Sequence, residues 1–504
     1  MHEISFRVFA VALAGLLALQ FVAGLWHISD PFIDGRLHYN WGPPFWLMKA
    51  QETNDIGLSG AYFGVAEYRS HPQLIGPVIA LWTRAAGYSE ASIRLLSLSL
   101  TVLSTLIFAL AIRHFTDNRR ALAFALLFAA LPLVYIYGKK LDQEALVLLF
   151  LAIHLWGIGL LTQSSRAGLV VAGIGSLGMV LSDWSGLLLA FAAGAVAPFA
   201  WGWKEHKQRV ISFVAVSYTA AAVGLGLFLL QGYLQAGSPG LGALVAEYAG
   251  LWRYRAGGTA SDVVWYKWLS TQLGFLSRNF TIPLALAGLS GLVLMLSKGI
   301  RVHDGRAWTA AVFVCGITIG HVAYMLAVPQ ASGVHIYYQY FLAVAIAFGL
   351  VYLVDRFAEK LSPRSTKYTW AAVLLCVVLG TAASSIYQYH KLLVKDTAGD
   401  ASDIALVRRV RDLPVGVLVI GIASNRTAAS WFENKNIEYY AGRAIQGHDF
   451  TRVPYADYQI VPVSYSAQIL DAINTNALYG PGVTGTQVHC STNFCLLELE
   501  LEGR

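Results

Sequence analysis

Charged side chains are scarce in this chain, so those lying between apolar runs carry information. Of 504 residues, 13% are charged and 56% hydrophobic. Three acids fall at the margins of long apolar runs: Asp34 in DPFIDGRLHYN, Asp142 in YGKKLDQEAL and Asp183 in LSDWSGLLL. Four basic groups accompany them, Arg69, His71, Lys139 and Lys140. An ionisable group at membrane depth is costly unless it is paired or functional. One such acid reads equally well as an interfacial residue, but three on one face beside four basic groups read as a shared polar cavity. That combination suits one chemistry. A carboxylate takes a proton from an acceptor hydroxyl while the cations neutralise a departing phosphate. Glu144 lies two residues past Asp142, so on a continuous helix it is expected to point elsewhere.

These residues need a membrane scaffold to bring them together, and the apolar runs supply one. Soluble domains are nearer a quarter charged, so the composition marks an integral membrane protein and excludes a soluble globular enzyme. Runs of spanning length fall at 6–26, 90–113, 119–137, 142–161, 167–182, 186–203, 210–231, 278–297, 307–328, 338–357 and 368–389. The fold class expected is a polytopic α-helical membrane protein of about eleven spans, followed by a small α/β domain outside the membrane. The domain boundary is drawn at 390, giving 1–390 and 391–504. The stretch 72–87 is apolar but short, and it holds Pro72 and Pro77. It reads as a helix lying along the membrane surface within a long first outer loop, 27–89.

Orientation follows from the basic loops. Arg113, Arg119 and Arg120, then Arg166, Lys204, Lys207 and Arg209, then Lys298, Arg301 and Arg306, then Arg356 and Lys360 all fall on one side of an eleven-span chain. The positive-inside rule makes that side cytoplasmic. The N-terminus is then cytoplasmic, the tail extracytoplasmic, and the expected home a plasma (inner) membrane. The net charge of +7 is spent on orientation, and nucleic acid is not an expected partner. In the tail, VGVLVIGI, YQIVPVS and the terminal TQVHC and CLLELEL read as strands and AQILDAINTN as a helix. Cys490 and Cys495 bracket a hairpin turn, which brings them near disulfide distance. No Gly-rich phosphate fingerprint is present there, because GIASNR lacks the further glycines.

Nucleotide sugars are absent outside the cytoplasm, so a donor at the outer face is expected to be a sugar on a lipid phosphate. The stretch from Tyr68 to Phe115 carries a corresponding resemblance. His71-Pro72, an apolar run, Gly87, Glu90 and Arg94-Leu95 resemble the pattern of GT-C glycosyltransferases of the protein O-mannosyltransferase and lipid A aminoarabinose transferase type (glycosyltransferase family 39-like). The resemblance covers about the first 390 residues. It implies a polyprenyl-phosphate-linked sugar as donor, a glycan, lipid or protein hydroxyl as acceptor, and an inverting reaction. It places the catalytic acids at Asp34 and Asp142. HIYYQYF, with Tyr337 and Tyr338, is similar to the family's late Tyr-rich stretch at the outer start of a span.

Two departures shift the expected phosphate contacts. Many relatives have Asp-Glu where this chain has Asp34-Gly35, and many have Thr-Lys-Gly-Pro where it has Ser182-Asp183-Trp184-Ser185. With that Lys missing, donor and phosphate contacts are expected from Arg69, His71, Lys139 and Lys140, with Asp183, Tyr337 and Tyr338. Some relatives use a divalent ion. His38, Glu67, His71 and His335 are the ligand types present beside the acids, yet no pair has helical ligand spacing, so a divalent ion stays open and no cofactor is assigned. Two rival readings are a lipid-linked sugar flippase and an O-antigen ligase or polymerase. The first calls for internal symmetry and midplane charges, the second for a large late loop. This chain has its dominant outer loop first and its acids at the outer face.

Overall fold

The computed structural model describes residues 4–29, 46–47, 50, 71–72, 74–236, 240–256, 264–302, 305–361, 366–390, 405–406, 408–409, 418–422, 446–449, 458–475, 483–490 and 494–501. They divide into two compact units, one of 1–29 with 49–388 and one of 30–48 with 389–504.

The first unit is a helical bundle. In chain order it holds α1 (Phe6–Gly24), α2 (Ile75–Ala86), α3 (Glu90–Phe115), α4 (Asn118–Ala130), α5 (Pro132–Tyr137), α6 (Gln143–Thr162), α7 (Ala167–Ser182) and α8 (Trp184–Trp201). It continues with α9 (Trp203–Ala236), α10 (Gly240–Arg255), α11 (Trp265–Phe280), α12 (Ile282–Val302), α13 (Gly305–Ala327) and α14 (Pro329–Val334). A 3₁₀ turn (Ile336–Gln339) leads into α15 (Leu342–Leu361), and α16 (Thr366–Tyr389) closes the unit. All eleven apolar runs land on helices. Among the described residues, however, eight single helices are long and apolar enough to cross a membrane, and α11 with α12 makes a ninth only as a pair bent by 92°.

The two remaining runs fall short for local reasons. The run 119–137 is interrupted where Pro132 opens a new helix after extended Leu131, since proline donates no backbone hydrogen bond. The run 167–182 gives a 16-residue helix. The stretch 72–87 forms the short helix α2, which buries Ile75, Ile79, Ala80 and Thr83 and exposes Leu81.

Polar caps start the helices where the chain leaves the apolar layer. Ser89 accepts the amide of Ser92 at 3.1 Å and Asp117 that of Arg120 at 2.9 Å. Asp142 and Asp183 are themselves the caps of α6 and α8. Side chains at such positions satisfy donors that the first helical turn leaves unpaired. α6 and α7 approach closely because glycines face the contact. A Cβ at Gly157 would collide with the backbone of Ala172, and one at Gly168 would lie 2.6 Å from the Gly157 carbonyl oxygen. Small residues permit this backbone-to-backbone approach between spans.

The second unit is a five-stranded mixed sheet. Its strands are β1 (Leu418–Ile422), β2 (Gln446–Asp449), β3 (Tyr458–Pro462), β4 (Val483–Cys490) and β5 (Phe494–Leu501), in the order β2-β1-β3-β5-β4. β1 pairs in parallel with β2 and β3, whereas β5 runs antiparallel to β3 and β4. α17 (Val463–Asn474) lays Ile469 and Ile473 on the sheet against Val461, Val483, Leu497 and Leu499. The terminal hairpin forms in the expected place, and Cys490 and Cys495 are joined by a disulfide.

Candidate functional site

The loop between α5 and α6 carries Lys139, Lys140 and Asp142, and α3 holds it in place. Ser97 Oγ lies within hydrogen-bond distance of the Gly138 and Lys140 carbonyls, at 3.0 and 2.8 Å, and Thr101 Oγ1 donates to Gly138 at 3.1 Å. Gly138 is required here, because a Cβ would strike the Val134 carbonyl. The two lysines diverge. Lys140 Nζ sits 3.0 Å from Asp142 Oδ2 and 3.5 Å above the centre of the Tyr337 ring. Lys139 Nζ instead donates to the Trp26 carbonyl at 2.9 Å, with the Tyr135 ring 5.1 Å away.

A second strand of contacts brings His71 to the same place. Gln143 Nε2 donates to the Pro72 carbonyl at 3.4 Å, and the Leu74 amide donates to Leu181 O at 3.1 Å. His71 Nδ1 then lies 3.0 Å from Asp183 Oδ1, while Asp183 Oδ2 accepts the Ser185 amide at 2.9 Å. Both Asp142 and Asp183 thus use one oxygen as a helix cap and the other on a basic side chain. They serve as fixed anions.

Burial lowers the His71 imidazole below its ordinary 6.5, and the Arg255 cation acts in the same direction against the Asp183 hydrogen bond. Burial alone would raise the Asp183 carboxyl, but its bonds from His71 and Ser185 bring it below the ordinary 3.8. At neutral pH the pair is therefore a neutral imidazole donating to a carboxylate. Because the folded state binds a proton on His71 less readily than the unfolded state, this contribution to stability is complete above about pH 6.5 and declines as pH falls below it. Asp183 contributes above about pH 3.8 and loses its contribution below. A thermal-unfolding series from pH 8 to pH 5 should show the midpoint falling in the lower half for the parent. The drop should be smaller in His71→Gln, and equal slopes in the two would contradict this protonation state.

Glu144 is a correction to the sequence reading. It stands within electrostatic range of Asp142, Lys140 and Asp183, and its buried Oε2 accepts no hydrogen bond among the described residues. The helical-wheel argument fails because Asp142 has extended backbone (φ −150°, ψ 177°) as the cap of α6, so the 100° step per residue does not run from 142 to 144.

Arg255, at the end of α10, was not singled out by sequence reasoning. It acts electrostatically on His71, Tyr324 and Tyr338. A signal was present: Arg253 and Arg255 fall in the 232–277 segment that the sequence reading expects on the face opposite the basic loops, where cations are not needed for orientation.

Tyr337 and Tyr338 are presented by the 3₁₀ turn, which a buried amide network fixes. Asn279 Nδ2 donates to Ile336 O at 3.0 Å and to Gln339 Oε1 at 3.1 Å, and Gln339 Nε2 donates to Gln272 O at 3.0 Å. Tyr338 stacks on Tyr324 with ring centres 5.6 Å apart, and His335 lies 5.7 Å from Tyr338. Asp34, His38, Glu67 and Arg69 lie outside the described residues. Among the described residues, no three His, Cys, Asp or Glu side chains converge to hold a metal. A narrow apolar crevice lined by Pro72, Val180, Trp184, Leu187, Leu225 and Phe228 adjoins Asp183.

The structure groups His71, Lys140, Asp142, Glu144, Asp183 and Arg255 at one end of the bundle and turns Lys139 away. Known proteins share this scaffold. The chain superposes on ArnT from Cupriavidus metallidurans bound to undecaprenyl phosphate with a TM-score of 0.61, at 13% identity, over 98% of each chain. The membrane unit has the GT-C fold. Archaeal oligosaccharyltransferase AglB from Archaeoglobus fulgidus, in complex with an inhibitory peptide and a dolichol-phosphate, matches at a TM-score of 0.54 and 14% identity, over 90% of this chain and 69% of that one. Mycobacterial arabinofuranosyltransferase AftD matches at 0.53 and 15% identity, over all of this chain and 40% of that one. In sequence, residues 70–230 match the family described as dolichyl-phosphate-mannose-protein mannosyltransferase, a stretch that contains His71, Lys140, Asp142, Glu144 and Asp183. No curated protein matches the chain.

Proposed function

We propose that this chain is a membrane glycosyltransferase that moves a sugar from a polyprenyl-phosphate donor to an acceptor hydroxyl on a glycan, lipid or protein at the outer membrane face. The observation that carries the reading is the grouping of Lys140 and Arg255 with three acids at one end of a GT-C bundle. In this reading Lys140 and Arg255 face the donor phosphate and His71 is fixed by Asp183. Asp34 accepts the proton of the attacking hydroxyl. The new bond joins that oxygen to the anomeric carbon, the carbon–oxygen bond to phosphate breaks, and polyprenyl phosphate leaves with the electron pair. A single displacement inverts the anomeric configuration.

The chain purified from its own membranes should carry a polyprenyl-phosphate-linked sugar detectable by mass spectrometry. Retention of a nucleotide sugar instead would remove the proposal.

The orientation belongs to the same proposal. The basic loops put the N-terminus in the cytoplasm of a plasma-membrane protein, and the Cys490–Cys495 bridge suits a tail in an oxidising compartment. Single cysteines at Gly237 and Ser402 should react with an impermeant thiol reagent from outside the cell. Protection of either site in intact cells, with labelling only after lysis, would break this orientation.

A further inference from the structure

The end of the membrane unit remote from the acids holds a polar cavity of about 360 Å³, lined by Arg113, His114, Asp117, Asn118, Gln163 and Arg306 among others. α3 ends there at Phe115, α4 begins at Asn118, α6 ends at Thr162 and α13 begins at Gly305. The 20 residues of α6 start at the acids and rise about 30 Å, which is the thickness of a bilayer core. The cavity is therefore at the opposite membrane face and plays no part in the transfer described above. At about 30 Å³ per water, it has room for a phosphodiester and its immediate substituents.

We propose that this cavity is a binding site for a phosphate group, held by Arg113 and Arg306. The neighbouring cations make the contrast. Arg119 and Arg120 both pair with Asp355, at 3.2 and 2.6 Å. Asp117, the acid on the cavity wall, is engaged by Arg120, whose Nη1 lies 3.3 Å from Oδ2 and whose amide donates to Oδ1 at 2.9 Å. Arg113 and Arg306 have no carboxylate within ion-pair distance among the described residues.

Arg113 is nonetheless fixed in place. Its Nε donates to Asn118 Oδ1 at 2.8 Å and its guanidinium lies 4.4 Å from the centre of the Phe6 ring. This leaves the two terminal amines, the pair that meets a phosphate in bidentate fashion. His114 Nε2 accepts from Trp156 Nε1 at 3.2 Å, and its ring is also hydrogen-bonded to the Gln163 side chain, so both wall residues are held in place. A polar cavity at a membrane face whose two arginines meet no carboxylate among the described residues fits an anionic headgroup. A free phosphate has the same chemistry.

The two sources can be separated with the full chain in phosphatidylcholine nanodiscs, titrated with dioctanoyl-phosphatidylglycerol and followed by native mass spectrometry. Saturable binding of the lipid is expected, weakened roughly 10- to 100-fold in Arg306→Gln. Arg113→Gln also removes the bond to Asn118, so Arg306→Gln, on an exposed side chain, is the deciding variant. Displacement of the lipid by millimolar inorganic phosphate would support the site and assign it to a free phosphate. Persistence of the lipid would assign it to a headgroup. Absence of saturable binding by either probe, or equal binding by parent and Arg306→Gln, would overturn the proposal.

Discussion

Under the proposed mechanism, Asp34→Asn should lower sugar transfer by roughly 10²–10⁴ while the protein still folds. The amide keeps the shape of the carboxylate and much of its hydrogen bonding but cannot accept the proton of the attacking hydroxyl. The loss should appear chiefly in kcat, because the base acts when the bond forms and contributes little to donor binding. Asp142→Asn is expected to behave differently. Asp142 caps α6 and pairs with Lys140, so its loss should lower both stability and turnover. The measurement is transfer of radiolabelled sugar from a polyprenyl-phosphate pool, with variants matched for amount in the membrane. Parent-level turnover by Asp34→Asn would take the base out of the first outer loop.

Lys140→Gln should reduce transfer by roughly 10²–10³, the range seen when a donor to developing negative charge is removed. It should also destabilise the fold. Its side chain is 2% exposed, and removing it leaves Asp142 and Glu144 close together without their cation. Breaking a buried pair in this way costs roughly 3–5 kcal/mol. The double variant Lys140→Gln/Asp142→Asn separates the two effects. It removes both charges of the pair, so thermal stability should recover in part while transfer stays low. Recovery of transfer along with stability would show that Lys140 acts only as a structural counter-ion and would remove it from the phosphate site. Glu144→Gln should impair transfer as well. The same substitution would be silent if Glu144 pointed away from the cluster, as a continuous helix from 142 would place it.

The helices of the bundle were legible because spanning runs are long and their basic loops alternate. The short helix α2 was legible for a related reason, since Pro72 and Pro77 mark the start of a run too short to cross. Helix breaks were harder to see. A run such as 119–137 is apolar from Ala121 onward, and only Pro132 marks where α4 ends and α5 begins.

At the site, His71, Lys140, Asp142 and Asp183 could be picked out because charge near the membrane is rare enough to stand out. Their pairing could not, because it depends on how α2, α6, α7 and α8 meet in space. The divergence of Lys139 and Lys140 is of the same kind. Adjacent residues on a loop share no periodicity, so only the clamp from Ser97 and Thr101 decides which lysine faces the acids. Arg255 was hidden by distance in sequence, though its place on the side poor in basic residues was a clue. In the tail, the strands with alternating or buried patterns were readable. The four-residue β2, QGHD, has no apolar pattern to betray it.

The most direct measurement is the fate of the donor's sugar–phosphate bond. The full chain, reconstituted in liposomes with a polyprenyl-phosphate sugar labelled in both the sugar and the phosphate, should release unglycosylated polyprenyl phosphate. The labelled sugar should appear on an acceptor hydroxyl with inverted anomeric configuration. Lys140→Gln and Asp34→Asn should slow both events together. A donor that crosses the bilayer with both labels still joined would contradict the account and leave this chain a carrier of lipid-linked sugar.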